Sequence, residues 1–168
     1  MYKAALWAIA LLFAFGATAE SKGPFGGFKH DETQPIEIAA DALEVRETDK
    51  IAVFSGAVDA QQGTLRLTAD TVEVTYGGGD GGTGQIRAMK ATGKVFIVNG
   101  AETASGDWAK YNVAGGVIEM GGSVTLTQGG NVVKGASLTI DLKSGQGKVK
   151  GGTGGRVKST FTPAKVSE

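Results

Sequence analysis

One histidine, three recurring aspartates and no cysteine are what this 168-residue chain offers to chemistry. His30 stands in a polar, glycine-rich stretch, 23–34, with no second ligand or acid beside it. A lone loop histidine without convergent partners reads as solvated rather than catalytic. Asp41, Asp70 and Asp107 recur at matching places and could serve as paired carboxylates or, stacked at a repeat interval, as Ca²⁺ ligands. A plainer account is preferred: aspartate accepts backbone hydrogen bonds where a strand is interrupted. Without cysteine, disulfides and thiolate metal sites are unavailable. The serines lack a histidine–acid pair. The glycine-rich loop 77–84 follows a strand and opens no helix, so it is no phosphate cradle. Asn99-Gly100 signals a hairpin, and Trp108 is assigned to the core. The chain is therefore expected to be no enzyme and to need no cofactor or metal.

The elements carrying those aspartates form a repeat. Ala40-Asp41-Ala42-Leu43-Glu44-Val45 returns 29 residues later as Ala69-Asp70-Thr71-Val72-Glu73-Val74. A weaker copy, Gly106-Asp107-Trp108-Ala109-Lys110-Tyr111, follows 37 residues on, and Ala136-Ser137-Leu138-Thr139-Ile140 lies about 29 beyond it, with Ala136 in the aspartate's place. If the eight residues 77–84 are an insertion, one period holds throughout, as stacked supersecondary units require. A second element alternates with the first. Phe54-x-Gly56-x-Val58 matches Ala91-x-Gly93-x-Val95, Met120-x-Gly122-x-Val124 and, faintly, Val149-x-Gly151. Around these, small or apolar residues take every second place, the mark of a strand with one buried face.

In the aspartate-bearing element the apolar parity switches. Leu65 and Leu67 are odd, whereas Val72 and Val74 are even; Val133 is odd, whereas Leu138, Ile140 and Leu142 are even. Both halves can face one core only if the strand bulges or turns a corner at the aspartate. A corner in every repeat bends long strands into two opposed faces, an open jelly roll or curved sandwich. Gln61-Gln62-Gly63, Ala114-Gly115-Gly116 and Gln128-Gly129-Gly130 read as hairpin connections. The terminal strands fall around 35–45 and 146–158.

The N-terminus reads as a leader. Lys3 precedes an apolar run, Ala4 to Phe15, and Ala17-Thr18-Ala19 supplies the small residues of a signal-peptidase site. Twelve helical residues reach roughly 18 Å, short of the ~30 Å bilayer core. Cleavage after Ala19 leaves 16 basic against 17 acidic side chains, which gives no basic excess for nucleic acid. Residues 143–166 carry Lys143, Lys148, Lys150, Arg156, Lys158 and Lys165 with no acid. They read as lysines guarding a sheet edge, with lipid phosphates or an acidic partner as the alternative. Gly56, Gly93, Gly122 and Gly151 leave room for a ligand on an inner face or permit twist and close packing.

Gln34-Pro35-Ile36-x-Ile38 followed by Asp41, then Phe54-x-Gly56-x-Val58, Gln62-Gly63-Thr64 and Ala69-Asp70-x-Val72-x-Val74, resembles the OstA-like family of periplasmic lipopolysaccharide-transport proteins. The likeness covers roughly 34–142, departing at the 77–84 insertion and at Ala136. It implies an all-β, slightly open, twisted β-jelly roll of antiparallel two-strand repeats of 29 residues. It further implies a periplasmic carrier of lipopolysaccharide through its lipid A moiety, with end-to-end self-association. The partners it implies are an inner-membrane ABC-transporter complex and fold-sharing components of the outer-membrane translocon. The chain then divides into a signal peptide (1–19), a flexible segment (20–34), the OstA-like domain (35–158) and a polar tail (159–168).

An interior lining follows from the motif positions and the alternating faces. Its expected members are Ile36, Ile38, Phe54, Val58, Leu65 and Leu67 in the first half, and Val95, Ile97, Met120, Val124, Leu126 and Leu138 in the second. They are expected to surround space that their own side chains leave unfilled. The rival readings are a secreted β-repeat adhesin without cargo and a carbohydrate-active jelly roll, which would need an acid pair not found here.

Overall fold

The computed structural model describes residue 28, residues 30–77 and residues 85–163. The leader at 1–19, nearly all of the glycine-rich loop and the end of the polar tail lie outside the described residues. Ten strands follow in order: β1 (Ile36–Ala39), β2 (Ala42–Arg46), β3 (Ile51–Gln62), β4 (Leu65–Gly77), β5 (Gln85–Asn99), β6 (Glu102–Asn112), β7 (Val117–Gln128), β8 (Asn131–Asp141), β9 (Gln146–Lys150) and β10 (Lys158–Thr160). No helix occurs among the described residues. Each strand from β3 to β8 pairs antiparallel with its sequence neighbours. At one end β1 and β2 share β3, and at the other β9 and β10 share β8. The two ends do not pair with each other, so the sheet is open.

Every interstrand register from β3 to β8 slips near mid-strand. Between β3 and β4 it jumps from Ser55↔Thr71 to Val58↔Ala69, so two residues, Gly56 and Ala57, face Asp70 alone. Equivalent jumps occur at Gly93-Lys94 and Gly122-Ser123. The expected corner is present, but the extra residue sits on the glycine-bearing strand rather than beside the aspartate. Both residues of each pair have positive φ, for example 80° at Gly93 and 48° at Lys94. Such dihedrals suit glycine and strain other residues. A Cβ at Gly56, Gly93 or Gly122 would overlap the side chain of Asp41, Asp70 or Asp107 respectively. These glycines thus make the corner, and the room they leave is taken by a carboxylate. Gly151 differs, since it lies in the loop between β9 and β10 and lacks positive φ.

One hydrogen bond shows that the corners fold the sheet over. Through Leu65↔Asn99 and Asn99↔Glu102, Gln62 lies level with Glu102, at one end of the strand rows. Tyr111 is nine residues further along β6, roughly 30 Å away on a flat sheet. Its hydroxyl nevertheless donates to Gln62 Oε1 at 3.2 Å. The two rows of hairpins therefore face each other across a seam, opposite a spine of corners. Between them lies one apolar cluster drawn from every strand from β3 to β8, including Val72, Ala91, Ala109, Ile118 and Ile140. Trp108 does not join it. The ring is half-buried on the face opposite Ala109, against Gly121, with Lys110 Nζ 5.6 Å from its centroid.

Candidate functional site

All twelve expected lining residues belong to this interior. Val58, Leu65, Val95, Ile97, Met120, Val124, Leu126 and Leu138 are buried, and Ile36, Ile38, Phe54 and Leu67 are partly buried against the same cluster. The half-covered ones all come from the first strands, where the cluster runs out towards an end. There Leu43 and Val45 of β2 sit opposite Phe54 and Ala52, on the inner face, and are about half exposed. At the far end Val157 and Phe161 share a face with inward Val133 and are likewise exposed. The apolar surface thus runs from one terminal strand to the other and stops uncovered at both.

The lining is not unfilled, as its sequence had suggested. The space left among Ile36, Leu67, Val72, Ile97 and Tyr111 amounts to about 30 Å³, room for a water or two and no more. The corner glycines create no extra space, and the alternating Val, Ile, Leu and Met side chains interdigitate across the fold.

The seam is polar where the interior is not. The buried polar side chains among the described residues are Gln62, Asn99 and Glu102, all on one rim. Thr64 Oγ1 donates to Asn99 Oδ1 at 2.8 Å, and Gln128 Nε2 to Glu102 Oε1 at 2.6 Å. Burial pushes the Tyr111 hydroxyl up to about 12, with the Glu32 carboxylate adding to the shift, so it stays a donor. The interior is thus bordered along one rim by buried amides and the Glu102 carboxylate.

The leading segment crosses this seam. Phe28 is fully buried in the core cluster, and the His30 N–H donates to the Leu142 carbonyl at 3.1 Å on the Tyr111 rim. Lys143 Nζ lies 3.9 Å from Glu32 on that side. On the opposite rim Gln62 Nε2 donates to the carbonyls of Glu32 and Gln34 at 3.0 and 2.9 Å. Asp31 closes the turn between, accepting from Thr33 Oγ1 at 2.6 Å and from Gln34 Nε2 at 3.1 Å. Those bonds hold its carboxyl down to about 2. Phe28, Gln62, Tyr111 and Glu102 were not singled out from the sequence. The one available signal was a pair of aromatics, Phe25 and Phe28, in a polar stretch.

Chemistry finds no site here. Asp41, Asp70 and Asp107 sit one per corner, each against its glycine, and Asp70 meets Lys94 at 3.6 Å on the surface. No group of three or more metal-capable side chains converges among the described residues. His30, expected to be solvated, is half-buried in the seam. Charge instead separates the ends. Glu37, Asp41, Glu44, Glu47 and Asp49 outnumber Arg46 and Lys50 around β1 and β2. The stretch from Lys143 to Lys158 has basic residues only, and Lys158 faces Lys134 directly across the ladder.

Comparison with known proteins matches residues 37–146 to the family described as LptA/(LptD N-terminal domain) LPS transport protein. An uncharacterised protein of Rhizobium meliloti is 32% identical over 160 residues, covering 92% of this chain and 86% of its own. The lipopolysaccharide export system protein LptA of Escherichia coli K12 is 25% identical over 141 residues, 82% of this chain and 76% of that one. The crystal structure of LptH, the LptA-homologous periplasmic component of the lipopolysaccharide transport device of Pseudomonas aeruginosa, superposes with a TM-score of 0.70. It is 21% identical and covers 79% of this chain and 99% of LptH.

Proposed function

The chain belongs to the LptA/LptD N-terminal family of lipopolysaccharide transport proteins, and on that premise we propose that it carries lipopolysaccharide across the periplasm inside its folded sheet. The observation that carries this reading is the apolar interior that runs uncovered into both terminal strands. Each buried CH₂ is worth ~0.8 kcal/mol, so one acyl chain of about a dozen carbons resists water by roughly 10 kcal/mol. Several chains per lipid make an enclosed route necessary. The polar rim would face the sugar and phosphate head.

End-to-end assembly belongs to the same proposal. Both edges are unpaired strands with exposed inner-face apolar residues, a hazard unless covered. The acidic β1–β2 edge complements the basic β9–β10 edge, and such a heterologous contact repeats from copy to copy. Copies of this chain, or inner- and outer-membrane transport components with the same fold, would then form a continuous interior. Residues 1–19 would be the export signal and 35–158 the carrying domain. Photo-crosslinking in cells from position 54 or 97 tests the reading. A lipopolysaccharide adduct at both positions is expected, and labelling of protein neighbours alone would replace transport with a structural module.

A further inference from the structure

We infer that Phe28 occupies the seat of an incoming acyl chain, and that residues 30–34 are a strap which must leave the seam for lipid to load; this rests on the transport reading above. The argument begins with space. The space left among Ile36, Leu67, Val72, Ile97 and Tyr111 is about 30 Å³, so a lipid chain entering there must displace something. Phe28 is the largest fully buried side chain among the described residues, and it comes from no strand. The ten strands alone therefore leave a vacancy the size of a benzyl group. It is filled from outside the sheet by a core side chain that can be withdrawn without breaking a ladder.

The strap's attachments suit withdrawal. It reaches both rims, through Leu142 and Lys143 on one side and Gln62 on the other. It adds no strand, and its ion pair is at the outer limit of contact. His30 Nε2 and Glu32 Oε1 are buried without hydrogen-bond partners, so both regain water on release. Gln62 is the opposite case. Its buried amide is satisfied by strap carbonyls and by Tyr111, so an opened seam bares one amide and one phenol ready to meet a polar head. An alkyl chain first replaces the ring's contacts and gains further buried area only along the apolar faces that the opened seam bares.

The test locks the strap in the full-length mature protein. Glu32→Cys and Lys143→Cys, in a chain that has no other cysteine, are bridged by a short reducible bis-maleimide. Loading is read with a fluorescent lipopolysaccharide. The unbridged double variant, which lacks the Glu32–Lys143 ion pair, should load at least as fast as the native protein, bridging should lower its loading at least tenfold, and reduction should restore it. Phe28→Ala should raise the association rate at least threefold with an unchanged far-ultraviolet spectrum. Equal loading with and without the bridge, or an unaltered rate for Phe28→Ala, overturns the strap while leaving the transport reading intact. A native protein that takes up no lipopolysaccharide overturns both.

Discussion

The spine and the seam enclose the same interior, yet they are built on opposite plans. At the spine one device is used again and again: Asp41 on Gly56, Asp70 on Gly93, Asp107 on Gly122, each with a second positive-φ residue after the glycine. At the seam no two contacts are alike. Gln62 bonds Tyr111 across the fold, Thr64 bonds Asn99, Gln128 bonds Glu102, and a segment outside the sheet ties the rims. Repetition keeps the bend constant from strand to strand, so successive layers stack in line. Variety at the seam makes its closure local, so one stretch can open without unravelling the rest.

Substitutions at the spine should be the most damaging. Gly93→Val combines strain at φ 80° with overlap on Asp70, about 2 kcal/mol for the dihedral and about 2 for overpacking. Gly100→Ala is the control. At φ 60° it carries a dihedral penalty, smaller for alanine than for β-branched valine, but has nothing within 4 Å, so about 1 kcal/mol is expected. Urea denaturation of both variants checks this, and equal midpoints would mean that the carboxylate seat is irrelevant.

The seam should answer to pH where the spine does not. Tyr111 titrates higher folded than unfolded, so its contribution is complete below pH 10 and is lost as pH rises through about 12. A shift of about two units is worth at most about 2.7 kcal/mol. Tyr111→Phe should flatten that alkaline decline in thermal melts and, by leaving the buried Gln62 Oε1 without its donor, lower stability near neutrality by about 1 kcal/mol.

Phe28→Ala is expected to cost less than a core phenylalanine ordinarily does. Deleting a buried Phe from a strand usually costs 3–5 kcal/mol. Here release of the strap limits the global loss to about 1.5 kcal/mol, near the lower end for burying such a side chain. Hydrogen exchange should show faster opening at Leu142 and Gln62 and none at the Gly93 corner. Uniform acceleration would mean the seam is no separate unit.

Legibility divides along the same line. Strand alternation, the hairpins at Gly63, Gly116 and Gly129 and the parity switch at Asp70 are properties of a few adjacent residues, so they show in the sequence. The site of the bulge was misplaced because parity reports that a strand turns, not which partner carries the extra residue. The role of Gly56 and Gly93 was left open because a positive φ has no composition of its own. All twelve lining residues were placed on the inner face, yet the filled interior went unseen. Packing density depends on how facing halves interdigitate, and Gln62 and Tyr111 meet across 49 residues without any periodic mark. The basic stretch showed its charge but not its setting, opposite an acidic end in the same molecule.

The broken edges carry a last consequence. Each end strand is split at the corner, β1 from β2 and β9 from β10, so neither offers a straight ladder. A flat strand from an unfolded or foreign chain can match one short piece but cannot follow the bend into the other. Only a chain creased at the same angle engages both, which would make the crease a password for admission to the proposed end-to-end assembly.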